Sequence, residues 1–286
     1  MDMELRRLHP FFVAEASGID DRQADETTLD WIRRAMDEHA VLVFRNQALT
    51  DEAQIAFARA LDGELHTRSG AAAIGRGRLG NAAVSDISNL AAGGEIAQSG
   101  DRQRANGLAN RLWHTDASFV EPAGRFSMLA AKYIPEVSAD TEFACMYAAF
   151  EALDEETQRQ AEPLKVYHSI VHSRQVLGFE YTPDEARKLV GATHPLVRVN
   201  PATGRRSLYL GAHASHIEQW PVPEGRLFLR DLTEHATQPR FTHRHAWQKD
   251  DLVIWDNRAT MHRAKPFDDK KYRRELRRVT TLDINT

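Results

Sequence analysis

The chain has 286 residues, 42% hydrophobic and 27% charged, an ordinary globular composition that excludes a largely disordered protein. A formal net charge of −4, with no concentrated basic tract, speaks against nucleic acid as the main partner. No apolar run nears the roughly 18–20 residues that span a bilayer, the charged start lacks the apolar stretch of a signal peptide, and the single Cys145 permits no intrachain disulfide, so the expectation is a soluble, cytoplasmic protein.

Leu29, Ile32 and Met36 recur at helical spacing behind a cap at Asp25 or Thr27, and the run 40–44 then reads as a buried strand. A second helix opens at Thr50-Asp51-Glu52, with Ile55, Phe57, Ala58 and Leu61 as its packing face. Residues 67–109 are rich in Gly, Ala, Ser and Asn and carry little periodicity. A stretch of that length is either a functional lid over an active site or a flexible insertion, and a short strand near Val84–Ile87 fits both. Phe126–Tyr133 reads as a core strand, and Thr141–Leu153 as a strand passing into a helix in which Cys145 is a packing residue. A hairpin spans Thr193–Gly211, turning at Asn200–Gly204. A helix follows from Pro223 to His235 with Leu227, Phe228, Leu232 and His235 as its apolar stripe, and strands at 251–255 and 276–282 close the chain.

Many short strands with few helices, and no strict strand-helix alternation, predict a mainly β protein with flanking helices. The expected core is a double-stranded β-helix, a jelly roll of the cupin-like kind, in one domain over 1–286 with 67–109 as the candidate lid. No fixed-period repeat occurs, and no Gly-rich phosphate loop precedes a helix, so nucleotide cofactors are not indicated.

The chemistry concentrates in Leu112-Trp113-His114-Thr115-Asp116 and Thr260-Met261-His262-Arg263. Residues two apart on a strand share a face, so His114 and Asp116 can reach one ion, and His262 supplies a distant third ligand. Two imidazoles and one carboxylate on one face of an octahedron are the ligand set of non-haem Fe(II) oxygenases. The His243/His245 pair lacks a carboxylate in its pattern, and with His168 and His172 it reads as structural or surface. On an extended last strand Arg274 and Arg278 share one face and Arg273 and Arg277 the other, spacing alone does not choose between them, and the pair left outside the pocket is expected to be solvated charge. A register slip of one would exchange the two pairs.

Together, His114-Thr115-Asp116, Asp140-Thr141, Trp255-Asp256-Asn257 followed by His262-Arg263, and Arg274 with Arg278 before Thr280 resemble the 2-oxoglutarate-dependent taurine/2,4-dichlorophenoxyacetate dioxygenase family. The likeness runs from about Ala40 to Asp283. The segment Leu208–His216 and the run 273–278 are most similar to the aryloxyacetate branch. Three departures stand out: Ser138-Ala139 replaces a Gly-Gly pair common in relatives, the segment between His262 and Arg274 is one residue longer than usual, which Lys270-Lys271 can absorb in a loop, and Asn200 occupies a hairpin position where close aryloxyacetate relatives have histidine.

The resemblance implies Fe(II) held by His114, Asp116 and His262, with 2-oxoglutarate as cosubstrate and O₂ as oxidant. It implies that Thr141 and Arg274 grip the distal carboxylate of 2-oxoglutarate, a task suited to a bidentate guanidinium and a hydroxyl. Asn110 supplies an amide near cosubstrate and substrate, Arg278 takes the substrate's anionic group, and His213 and His216 are candidate polar groups of the substrate pocket. The implied reaction hydroxylates an aryloxyalkanoate of the herbicide type beside its ether oxygen, and the hemiacetal collapses to a phenol and glyoxylate. The partner is a small anionic organic molecule rather than a membrane or nucleic acid, and a homo-oligomeric state stays open. Rival readings are an alkylsulfonate or alkylsulfate dioxygenase, a hydrolase holding zinc on the same three residues, and a binding module without catalysis.

Overall fold

The computed structural model describes residues 3–20, 24–67 and 78–284, so the part of the candidate lid at 68–77 lies outside the described residues. The architecture is mixed helix and sheet. A seven-stranded sheet has the order Glu4–His9, Val13–Ser17, Val41–Phe44, Leu252–Asp256, Gly124–Tyr133, Glu275–Leu282, Ser85–Ser88. Within it Val13–Ser17 runs parallel to Val41–Phe44 and the other neighbours are antiparallel. A three-stranded sheet has Thr141–Cys145 between Thr242–His245 and Thr260–Ala264. Among the described residues no helix is long and apolar enough to cross a membrane.

The large sheet is buried on both faces, which explains why its central strands read as continuous apolar runs rather than as alternation. On one face Leu42, Phe44, Phe126, Met128, Leu252 and Ile254 pack beneath the helices Glu26–His39 and Asp51–Asp62. On the other, Val41, Val43, Leu129, Val253 and Trp255 meet Phe143, Ala144 and Met261 of the three-stranded sheet. Both helices start where the capping residues demand: Asp25 accepts from the Thr28 N–H and Thr50 from the Ala53 N–H. Cys145 is fully buried, and burial pushes its thiol up to about 11, in keeping with a packing role.

Three packing expectations are corrected. In the helix 51–62 Phe57, Ala58 and Leu61 are buried and Ile55 packs partly buried against the same core, as expected, but Gln54, absent from the expected face, is also fully buried because its amide donates to the carbonyls of Met128 (2.9 Å) and Arg277 (3.1 Å) under the sheet. The helix Val222–Ala236 buries Gly225, Leu229, Leu232 and Ala236, a stripe stepping by four, three and four, while Leu227 is 52% exposed. His114 and Asp116 do not lie on a strand: His114 forms an isolated bridge with His262, and Asp116 opens a turn. The hairpin is present as Val197–Val199 paired with Arg206–Leu208. Asn200 in its turn is buried against the Tyr147 hydroxyl (3.0 Å) and Asp37 (3.3 Å).

Candidate metal centre and cavity

The backbones of His114 and His262 are locked to each other by reciprocal hydrogen bonds, His114 N–H to His262 O at 3.0 Å and His262 N–H to His114 O at 2.9 Å. That bridge brings together two residues far apart in sequence. Asp116 follows, its N–H donating to Asn257 Oδ1 (3.1 Å). Its carboxylate oxygens lie 3.7 Å from His114 Nε2 and 3.7 Å from His262 Nε2, and all three side chains are buried with ligand atoms within 4.8 Å of one another.

Protonation suits a cation. His114 Nδ1 donates to the Leu112 carbonyl at 2.8 Å, which leaves the Nε2 lone pair toward Asp116. Burial lowers the His114 pKa against the opposing pull of Asp116, and burial with His114 alongside lowers that of His262 well below its ordinary value. Burial would push Asp116 up, but Arg278 and the two histidines hold it at about 2. At neutral pH the set is therefore two neutral imidazoles and one carboxylate.

Behind it stands a layer of support that carried no role in the sequence reading. Ser127 Oγ donates to Asp116 Oδ2 (2.8 Å), Asn257 Nδ2 donates to Ser127 Oγ (2.9 Å), and Trp255 Nε1 donates to Asn257 Oδ1 (3.0 Å). Phe143 stacks near His262 with ring centroids 6.0 Å apart. Asn257 and Trp255 were visible only as part of a motif.

A cavity of about 270 Å³ opens over His114 and Asp116, and a small recess of about 20 Å³ lies behind it beside His262. Asn110, Arg274 and Arg278 line both, whereas Thr141 lines the recess. Arg274 is buried, its Nε donating to the Ala139 carbonyl (2.9 Å) and its Nη2 lying 3.4 Å from Thr141 Oγ1. Trp247 Nε1 also donates to Thr141 Oγ1 (2.9 Å), so that oxygen accepts twice and its own O–H is left to donate into the recess. Arg278 contacts Asp116 through Nη1.

His213 is buried at the cavity wall, its ring 6.1 Å from that of His114. His216 is not at the cavity: the strand Ala214–Ile217 is bulged between Ala214 and His216, and the imidazole packs against Tyr167 and Ser215 Oγ. Arg277 is not a solvated charge. It is buried among Glu275 of its own strand and Asp86 (3.1 Å) and Asp51 (3.6 Å), which arrive from other elements. Arg273 is half-exposed beside Glu275. His245 is buried 3.2 Å from Asp251. Phe119, Asn106 and Arg174 also line the cavity, and none of the three stands in a motif of the sequence. The sole signal for Arg174 was a charged residue four positions after Ile170 on an otherwise buried helical face.

Two imidazoles and a carboxylate beside a cavity, with a buried guanidinium and a hydroxyl in the recess beyond, define a metal-dependent enzyme site of the 2-His-1-carboxylate class. A sequence profile of the taurine catabolism dioxygenase TauD, TfdA family matches residues 4–280, and the chain belongs to that family. Over 99% of both chains it is 44% identical to the alpha-ketoglutarate-dependent 2,4-dichlorophenoxyacetate dioxygenase of Cupriavidus pinatubonensis. It is 42% identical to the enzyme of the same name from a Burkholderia species, covering 99% of this chain and 95% of that one. The crystal structure of AAD-2 in complex with Mn(II) and N-oxalylglycine superposes with a TM-score of 0.93 at 41% identity, over 99% of this chain and 98% of that one.

Proposed function

We propose that the protein is an Fe(II)- and 2-oxoglutarate-dependent dioxygenase that hydroxylates an aryloxyalkanoate beside its ether oxygen, yielding a phenol, glyoxylate or a related oxo acid, succinate and CO₂. The observation that carries the reading is the recess bordered by His114, His262, Thr141 and Arg274, which sets the candidate cosubstrate anchor beside the His114/Asp116/His262 set. High identity to 2,4-dichlorophenoxyacetate dioxygenases supports the substrate class.

The residues fit the metal: His114 Nε2, one oxygen of Asp116 and an imidazole nitrogen of His262 are neutral or anionic donors already gathered on one side of a cavity. The iron, when bound with 2-oxoglutarate and O₂, supplies the oxidation of an aligned C–H bond. The protein's work is placement. Ser127 and Asn257 hold the Asp116 carboxylate in orientation. Arg274 and the Thr141 hydroxyl receive the distal carboxylate of the cosubstrate, and Asn110 offers an amide beside it. Arg278 faces the substrate's anionic group, and His213 with Phe119 forms the wall near the ring.

Facing seven- and three-stranded sheets support a double-stranded β-helix core within one domain, with the metal set at one mouth. Lining of the cavity by Leu79, the strand Ser85–Ser88, Asn106, Gly107 and Leu108 supports a lid role for that region. A cytoplasmic enzyme supplied with a small diffusible acid is the setting in which this chemistry operates. A zinc hydrolase has no use for the buried Arg274 and its Thr141 partner.

The test is anaerobic reconstitution with Fe(II) and 2-oxoglutarate, admission of O₂, and quantification of succinate and phenol with 2,4-dichlorophenoxyacetate present. Phenol and succinate in equal amounts are expected. Succinate coupled to sulfite or sulfate release from alkylsulfonates or alkyl sulfates, with no phenol, would replace the substrate class; no succinate with bound iron would overturn the dioxygenase reading.

A further inference from the structure

The basic residues around the cavity can be sorted by their counter-ions. Arg104 and Arg111 each lie 3.1 Å from Asp269, Lys265 lies 3.1 Å from Glu142, and Arg278 contacts Asp116. Two guanidiniums are left without a carboxylate within ion-pair distance among the described residues. One is Arg274, whose recess is assigned above to the cosubstrate. The other is Arg174, in the short helix Ile170–Gln175.

Arg174 is 9% exposed, lines the cavity, and hydrogen-bonds through Nη1 to Ser173 Oγ (2.9 Å), while its buried Nε has no protein partner. It lies near enough to His114, His213, Arg278 and Asp116 to exchange charge interactions with each. The wall beside it is tied down, since Asn106 Nδ2 donates to the Tyr181 hydroxyl at 2.7 Å. A guanidinium is a fixed cation with donors in a planar fork, and an unpaired one is costly to bury unless an anion completes it. With Arg274 assigned to the cosubstrate's distal carboxylate, the second unpaired guanidinium calls for a second anion.

We propose that Arg174 is a receptor for the anionic group of the primary substrate, sharing it with Arg278, and is therefore a specificity-determining residue for small organic anions. This rests on the dioxygenase reading above but not on the aryloxyacetate assignment, because a sulfonate or sulfate presents the same chemistry to the fork. It gives the cavity two separate anion addresses: Arg274 for the cosubstrate, and Arg174 with Arg278 for the substrate.

The test uses the Fe(II)/2-oxoglutarate holoenzyme under anaerobic conditions. Calorimetry follows 2,4-dichlorophenoxyacetate, an alkylsulfonate and an alkyl sulfate, each against an uncharged amide or ester analogue, in wild type, Arg174→Gln and Arg174→Lys; 2-oxoglutarate is titrated separately. Arg174→Gln is expected to weaken the bound anion about 10- to 100-fold, the range for loss of charge-assisted hydrogen bonds. The neutral analogue and 2-oxoglutarate should stay within about twofold, and Arg174→Lys should recover part of the loss. Unchanged anion affinity in Arg174→Gln, or equal weakening of anion, analogue and 2-oxoglutarate, overturns the proposal. If the aryloxyacetate binds both proteins equally, Arg174 falls and the substrate class stands. If a sulfonate or sulfate binds instead and depends on Arg174, the receptor stands and the aryloxyacetate reading falls. No anion binding to wild type defeats both.

Discussion

Gly211 is where the backbone under the metal set is tightest. Its φ is +114°, and a Cβ there would lie 2.8 Å from His114 Cα, 3.2 Å from Thr115 N and 3.2 Å from the Trp113 carbonyl oxygen. Those neighbours are backbone, so Gly211→Ala has to displace main chain rather than a flexible side chain. The unfavourable dihedral costs on the order of 1–3 kcal/mol, and forcing a methyl into close-packed backbone adds about 1–3 kcal/mol. A loss of roughly 2–6 kcal/mol is therefore expected in urea unfolding of the metal-free protein. The strain also enters the ligand set, because His114 is bridged to His262 and the Ala212 N–H is bonded to the Trp113 carbonyl at 2.8 Å. Mn(II) or Fe(II) affinity should fall by about tenfold or more. Gly204→Ala is the control: φ there is +70° with nothing within 4 Å of the added Cβ, so it carries a dihedral cost alone, about 1–2 kcal/mol, and no metal phenotype. If Gly211→Ala matched Gly204→Ala in stability and kept wild-type metal affinity, the argument from close backbone approach would be refuted.

Three further outcomes are expected. His262→Ala should abolish Fe(II) binding and turnover together, measured by metal titration and succinate release; retained turnover would remove His262 from the ligand set. Arg274→Gln should raise the KM for 2-oxoglutarate more than that for substrate, and Arg278→Gln should do the reverse, by about tenfold each if one charge-assisted bond is lost; equal effects in both variants would show that the two anchors are misassigned. Acid sensitivity should trace in part to Glu275, where burial acts to raise the pKa but Arg273, Arg78 and Arg277 together hold it at about 2, below its ordinary 4.5. A folded-state pKa below the unfolded one means stability that is full above about pH 4.5 and lost as pH falls toward 2, on the order of 3 kcal/mol in all. Glu275→Gln should be less stable at neutral pH, yet lose stability less steeply over that acid range in thermal melts.

Periodicity and capping made the helices 26–39 and 51–62 and the strands 124–133, 252–256 and 275–282 legible, because an amphipathic face and a cap are local properties of the chain. The three metal-ligand candidates were legible for a different reason: few residue types bind a cation, and His-x-Asp, a weak pattern alone, stands among further motifs in the order and spacing of a known family. Their convergence was not local. His114 and Asp116 meet His262 through a backbone bridge and a turn rather than on the strand that alternation suggested. Arg277 shows the limit most plainly. In sequence it is one more charge in a basic run, and it is buried because Asp86, 191 positions away, reaches it across the sheet, with Asp51 and Glu275 completing the cage. Gln54 is buried for a carbonyl of Arg277 that lies 223 positions off, and His216 lies outside the cavity on the strand face opposite the buried Ser215 and Ile217. Sequence by itself determined the elements and the chemical types available to the site. Only tertiary structure decided which polar groups are buried, since burying a charge or an amide is tolerated where distant partners satisfy it, and those partners are brought together by the fold.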